Sequence, residues 1–277
     1  MMPITEQILP DLKQLETLVR TAAKEELLSQ FGHAEYHYKD DGSVVTPADF
    51  AMQERLKQEL LLLWPQYALL GEEMSESQQR AVLESHVAYW CIDPLDGTSN
   101  FAAGLPLFAI SIALIINHQQ RLGLIYDPLR DEMFTAIKGQ GAWLNGNRLS
   151  YRQSDTSSTG QKDKHIVAEI DIKRLPRALS IKLIENDLFI SQRNLGAATL
   201  EWCWLAANRF DLYLKGAQKL WDYAAGSLIF AEAGGYALSL DNQPVFKEQL
   251  GSRSVLAALD EDLFKHWYNW LDIPVNG

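Results

Sequence analysis

A strand-forming apolar run, Val87 to Ile92, stops abruptly at Asp93-Pro94-Leu95-Asp96-Gly97-Thr98. Aromatic and β-branched residues favour a pleated strand, and proline keeps the residue before it extended. Asp93 is therefore expected at a strand end, with a turn behind it that returns Asp96 to its side. Two carboxylates so close repel unless a cation lies between them. Their hard oxygens, with a backbone carbonyl such as that of Leu95, suit Mg²⁺, and the histidine-poor surroundings disfavour zinc. Gly97 lets the backbone approach an oxyanion, while Thr98 offers an N–H and a hydroxyl near a helix start, where anions are favoured. A local reading competes: Asp96, Thr98 and Ser99 as helix caps around an ordinary Asp96-Gly97 turn.

The rest of the chain alternates helix-type and strand-type segments. Apolar positions at Ile4, Ile8, Leu12, Leu15, Leu18, Val19 and Ala22 predict an amphipathic opening helix. Asp49 to Leu63 predicts a second helix, stopped at Trp64-Pro65. Phe108–Ile116 and Leu122–Tyr126 read as strands around Asn117-His118, and the pair Asn145-Gly146 as a hairpin turn. The polar stretch Tyr151–Lys164 offers little to bury and predicts a junction between a subdomain over 1–150 and another over 151–277. Beyond it, strands at Ile166–Ile170 and Asp211–Leu214 alternate with helices at Ala197–Asn208 and Asp222–Ala233, the last stopped by Gly234-Gly235. Asp127-Pro128-Leu129 echoes the first aspartate run, but Arg130 replaces the second aspartate, so a plain turn is expected. His33 and His37 share a helical spacing and read as a structural helix end.

The 277 residues, 47% of them hydrophobic, suffice for a substantial core. A formal net charge of −11 argues against a protein that grips nucleic-acid backbone; a small anion can still bind where metals supply positive charge. Met1 to Asp11 lack the pattern of a secretory signal, and no later run is long and apolar enough to span a membrane. A soluble, cytoplasmic protein is expected. Cys91 and Cys203 show no metal-type or redox-type spacing and read as buried and reduced.

Asp93-Pro94-Leu95-Asp96-Gly97-Thr98 resembles the signature of the inositol monophosphatase family, and Trp221-Asp222-Tyr223-Ala224-Ala225-Gly226 resembles its second signature. Gly71-Glu72-Glu73 is similar to the family's glutamate motif, Val45-Thr46-Pro47-Ala48-Asp49 to its threonine–aspartate motif, and Gly196-Ala197-Ala198 to its substrate-side loop. The resemblance implies an α/β fold with layered αβαβα order, the site lying between an α+β half and an α/β half. It implies two or three Mg²⁺ ions. Glu72, Asp93 and the Leu95 carbonyl would hold one, Asp93, Asp96 and Asp222 a second, and Glu72 would help place a third. Asp49 and Thr98 would activate the attacking water, and Gly97, Thr98, Gly196, Ala198 and Lys215 would face the substrate. Lys39 and Glu73 are further candidates. Lithium sensitivity and a homodimer are implied as well.

The resemblance implies a Mg²⁺-dependent phosphomonoesterase acting on a small phosphorylated metabolite, with inositol monophosphate first. 3′-Phosphoadenosine 5′-phosphate, fructose 1,6-bisphosphate and histidinol phosphate are alternatives. Lys215 stands seven residues before Asp222, where inositol-specific members tend to carry a glutamate. It has two readings: a cation that favours another anionic group, or a charge pointing into solvent. Two rival classes predict less: a carboxylate-pair glycosidase, which needs no metal, and a metal-binding scaffold of the same fold without activity.

Overall fold

The computed structural model describes residues 9–272 apart from 41, 86, 151–165 and 187. The expected junction, Tyr151–Lys164, lies outside the described residues, as do Ile4 and Ile8. Helix α1 (Leu12–Ala22) is capped by Asp11, whose side chain accepts from the N–H of Lys13 at 2.9 Å, and it buries Leu15, Leu18, Val19 and Ala22. It continues into a π-helical turn, Ala23–Leu28. Strands β1 (His37–Tyr38) and β2 (Val44–Val45) then form a small antiparallel hairpin. His37 therefore lies on a strand and His33 in a turn, so their helical spacing is not realised. Helix α2 (Pro47–Leu63) starts with proline in its first turn and ends at Trp64 before Pro65, as expected.

A seven-stranded sheet follows in chain order: β3 (Ala68–Gly71), β4 (Tyr89–Asp96), β5 (Ala109–Ile116), β6 (Gln119–Asp127), β7 (Glu132–Ile137), β8 (Gly141–Leu144) and β9 (Asn147–Arg148). Only β3 and β4 pair parallel, with α3 (Glu76–Glu84) as the crossover; α4 (Thr98–Ala102) follows β4. Asn117-His118 and Asn145-Gly146 make the two expected turns, all four residues at positive φ. Asp127 is the expected turn, its carboxylate accepting from the N–H groups of Leu129 and Arg130.

The second sheet comes from β10 (Val167–Ile170), β11 (Ser191–Arg193), β12 (Leu212–Gln218), β13 (Tyr236–Ser239) and β14 (Arg253–Ala258), in the order β11-β10-β12-β14-β13. Its helices are α5 (Arg177–Ile184), α6 (Ala198–Ala206), α7 (Leu220–Glu232) and α8 (Glu261–Leu271).

Alternation along the strands defines the layers. On β5, Ile110, Ile112 and Leu114 pack with α1 and α2, whereas Ala109, Ala113 and Ile115 pack with α6 and α7. On β12 and β14, Tyr213, Val255 and Ala257 join that same middle core, and Leu212, Leu214, Leu256 and Ala258 turn toward Leu183, Phe264 and Trp267 of α5 and α8. The order is αβαβα, as the resemblance implied. Helices α6 and α7 are buried from both sides, which explains apolar runs without a polar face. Cys91 and Cys203 are free and buried in this core. No helix among the described residues is long and apolar enough to cross a membrane.

Helix α7 can approach α6 because residue 226 is glycine: a Cβ there would lie 2.5 Å from Trp202 Cβ. Gly226→Ala is expected to lower unfolding free energy by about 1–3 kcal/mol through overpacking, despite a helix-propensity gain approaching 1 kcal/mol. An unchanged urea midpoint would contradict this packing.

Candidate active site

Both aspartates of the first motif lie inside β4, which corrects the expectation that they follow the strand end. Asp93 pairs with Ser111 of β5 and Asp96 with Ala109, so β4 carries one extra residue across that interval. Pro94 cannot donate to the ladder, and the irregularity falls there. Residues three apart on a regular strand face opposite sides of a sheet. The bulge cancels that alternation and turns both carboxylates toward one cleft.

Asp222, in the first turn of α7, completes the group. Asp93, Asp96 and Asp222 each offer a carboxylate oxygen, all within 4.8 Å of one another. The donor set is all oxygen, and three carboxylates at this spacing fit a hard divalent cation such as Mg²⁺. Their crowding opposes ionisation. Burial, then the charges of Glu72, Asp96 and Asp222, holds Asp93 well above the usual carboxylate range. Burial, then Asp96, pushes Asp222 to about 7.

Glu72 stands outside that three-oxygen set but close enough to interact with it. Burial, with the charges of Glu73, Asp222 and Asp49, pushes it up to about 8 against the opposing Lys39. Lys39 Nζ lies 2.6 Å from Glu73 and 3.4 Å from Glu72. The structure thus brings Lys39 from the β1–β2 loop to both glutamates, with Glu73 its nearer partner. Gln79 of α3 donates to the carbonyls of Gly71 and Glu72 and anchors this corner.

Asp49 and Thr98 meet as the resemblance implied. Thr98 Oγ1 is 2.9 Å from Asp49 Oδ1 and 2.9 Å from the Leu95 carbonyl oxygen, so its single proton has two acceptors to choose between. The N–H and hydroxyl of Thr46 both donate to Asp49 Oδ2, at 2.8 and 2.6 Å. Burial outweighs these bonds and raises the Asp49 pKa. The Leu95 carbonyl has a second lone pair for another ligand. Gly97, at φ 88°, also has no room for a side chain: a Cβ would lie 2.8 Å from the Leu107 carbonyl oxygen.

The second half of the chain supplies the opposite wall. Gly196 and Ala198 line the cleft, and the loop holding them is tied across it, Asn100 Nδ2 donating to the Leu195 carbonyl at 2.7 Å. Thr199 donates to Asp96 Oδ2 from both its N–H, at 2.6 Å, and its hydroxyl, at 2.7 Å. This fixes a candidate metal ligand. Thr199→Val is expected to raise the Mg²⁺ concentration for half-maximal binding by about tenfold, read by calorimetric titration. An unaltered affinity would make Thr199 merely a packing residue.

Lys215 does not point into solvent. It is 4% exposed, and its Nζ lies 2.6 Å from Glu201 Oε2. Burial alone would lower its pKa, but Glu201 and then Asp96 raise it. Its charge is therefore already engaged. Glu201 Oε1 accepts from the Gly196 N–H at 3.0 Å. Glu169 lies beside this pair, with its Oε2 buried and unpartnered, and burial followed by the Glu201 charge pushes it up to about 9. A protonated Glu169 gains the donor that its Oε2 otherwise lacks.

Glu169, Thr199 and Glu201 were not foreseen. A glutamate inside the otherwise apolar run Ala198–Ala206 was the available signal for Glu201, since unpaired charge is rarely buried there. Thr199 directly follows the matched Gly196-Ala197-Ala198. Together these walls enclose a cleft of about 630 Å³, with the carboxylates on one side and Lys173, Arg174 and Lys219 on its rim.

The model of the inositol monophosphatase family matches residues 10–269 of the chain. Inositol monophosphatase 1 of Bos taurus is 33% identical over 227 residues, covering 79% of this chain and 78% of that protein. Nus factor SuhB of Pasteurella multocida is 35% identical over 198 residues, covering 71% and 72%. Among solved structures, the extragenic suppressor protein suhB from Bartonella henselae superposes with a TM-score of 0.76 at 26% identity, covering 94% of this chain and 96% of that one.

Proposed function

The chain belongs to the inositol monophosphatase family, and from that premise we propose that it is a Mg²⁺-dependent phosphomonoesterase acting on a small phosphorylated metabolite by direct attack of water. One observation carries the reading: the convergence of Asp93, Asp96 and Asp222, with the Asp49–Thr98 pair at the same cleft. A scaffold that only bound metal would not need that second pair.

In this reading Asp93, Asp96, Asp222, Glu72 and the Leu95 carbonyl hold the metal ions. Bound Mg²⁺ supplies charge neutralisation for the phosphate and its leaving oxygen, and acidifies water. Thr98 Oγ1 accepts a proton from the attacking water as its own proton passes to Asp49 Oδ1. The raised pKa of Asp49 makes it a stronger proton acceptor than an ordinary carboxylate. Thr46 holds the other Asp49 oxygen, so the acceptor cannot turn away. Gly97 keeps the approach to the phosphate open, and the Gly196–Ala198 loop bounds the alcohol side.

The names of the inositol monophosphatase relatives put inositol monophosphate first in a substrate panel. Phosphate release should be followed from inositol 1-phosphate, fructose 1,6-bisphosphate, histidinol phosphate and 3′-phosphoadenosine 5′-phosphate, with Mg²⁺ and with chelator. Mg²⁺-dependent release from at least one compound, inhibited by Li⁺, is the expected result. Release that persists after chelation would remove the metal from the mechanism, and no release from any compound would favour the scaffold.

A further inference from the structure

The rim cations of the cleft are not accounted for by the chemistry above. Lys39 and Lys215 are tied to glutamates inside the cleft. Lys173 and Lys219, by contrast, are exposed and make no ion pair among the described residues. Among the described residues Arg174 pairs with Asp171 at 3.6 Å, with 57% of its side chain exposed, and its charge also acts on Asp222. In a chain of net charge −11, three weakly engaged cations on one rim of one cleft make a local field that attracts a ligand of negative charge.

The rim is built rather than accidental. Lys173 and Arg174 belong to the short 3₁₀ turn Ile172–Arg174, whose preceding residue, Asp171, donates its N–H to the Leu214 carbonyl of β12. The turn is pressed against β12 so closely that a Cβ on Gly216 would lie 2.0 Å from the Arg174 carbonyl oxygen. Directly after it, β12 shifts register between Lys215 and Gln218, with Ala217 at φ 57°. A non-glycine residue in that conformation carries strain, and Ala217 lines the cleft. Gly216 and Ala217 together set the turn and Lys219 along one wall. A second hollow of about 610 Å³ shares Gln79, Lys219 and Trp221 with the cleft.

We propose that this enzyme prefers phosphomonoesters whose alcohol part carries a second anionic group, a phosphate or a carboxylate, received by Lys173, Arg174 and Lys219. The inference rests on the phosphomonoesterase reading and changes only which alcohol is favoured. The scissile phosphate lies at the carboxylate side, and the second anion lies along the rim. Arginine takes such a group through its planar fork, and the lysines act as point charges.

Matched pairs isolate the second anion: fructose 1,6-bisphosphate against fructose 1-phosphate, and 2-phosphoglycerate against glycerol 2-phosphate. Their kcat and KM should be measured with Mg²⁺ on the full chain, and their affinities by calorimetry on Asp49→Asn, which keeps the metal carboxylates. The doubly anionic member of at least one pair should bind about tenfold more tightly, the value expected of two or three partly exposed ion pairs. The phosphate pair and the carboxylate pair report separately which anion the rim takes. Lys173→Ala combined with Arg174→Ala should shrink that preference to below about threefold, acting on KM more than on kcat, and Lys219→Ala should reduce it independently. Equal affinity within both pairs, a variant that weakens both members alike, or no binding of any member would overturn the inference. No phosphate release with the binding preference intact would instead defeat the hydrolase reading and leave the rim assignment standing.

Discussion

Asp93→Asn is expected to lower kcat/KM by at least 10²–10³-fold, the scale of losing a major electrostatic element of an active site, while making the metal-free protein more stable. The two effects have one cause. Asp93 is buried at 1% exposure among Asp96, Asp222 and Glu72, and its carboxylate accepts from the Leu95 N–H at 3.0 Å. An asparagine oxygen can accept that same bond. The substitution therefore keeps the local turn, removes one of the repelling carboxylates and deletes a candidate metal ligand. Without metal, a gain of roughly 1–2 kcal/mol follows from replacing a carboxyl whose ionisation the fold opposes. Melting curves with chelator and with Mg²⁺ would read it: the variant should melt higher than the parent without metal, and Mg²⁺ should stabilise it less. A variant that keeps its activity, or melts lower in chelator, would refute this account of the cluster.

The second large effect is a pH dependence that Mg²⁺ reverses. Glu72 is pushed to about 8 and Asp222 to about 7, and Asp93 and Asp96 are raised as well, whereas the unfolded chain releases carboxyl protons near pH 4. Between about pH 4 and 8 the folded protein holds protons that the unfolded chain has lost, so stability must fall as pH rises through that window. The metal-free melting temperature is expected to drop by roughly 5 °C or more from pH 5 to pH 8. Mg²⁺ takes the place of those protons, so its binding near pH 6.5 should release about one or more per chain. Calorimetric titration in buffers of different ionisation enthalpy measures that number directly. A heat independent of buffer, or a metal-free protein that grows more stable over the same window, would show that the carboxylates do not share one desolvated site.

Much of the cleft was legible from local chemistry. Asp93 and Asp96 could be read as a metal-type pair because close carboxylates demand a cation, but the strand end expected at Asp93-Pro94 lies further on, at Asp96. Asn145-Gly146 could be read as a hairpin turn because both positions tolerate positive φ. The helix ends at Trp64-Pro65 and Gly234 are equally local. The short strands β1, β2 and β11 were not legible, since a strand of two or three residues carries no periodicity to detect. The buried group of Glu169, Glu201 and Lys215 escaped for another reason: its members come from three elements up to 46 residues apart in sequence (215 − 169 = 46), and nothing local makes a glutamate and a lysine partners.

Lys215 marks the boundary between the two kinds of knowledge. As a residue it is a cation near a second motif, equally suited to substrate or solvent. Only the stacking of β12 against α6 decides that it is spent on Glu201. By itself the sequence determined which residues are able to bind a hard cation, activate water or turn a chain, because those properties reside in side-chain chemistry and in the φ preferences of proline, asparagine and glycine. The tertiary structure decided how Asp93 and Asp96 come to face the same way, through one extra residue in β4 and not the expected turn. It also decided that Asp222 joins them from more than a hundred residues away (222 − 96 = 126), and that Lys173, Arg174 and Lys219 share one rim. Those outcomes depend on register and on the packing of five layers, which no local preference encodes.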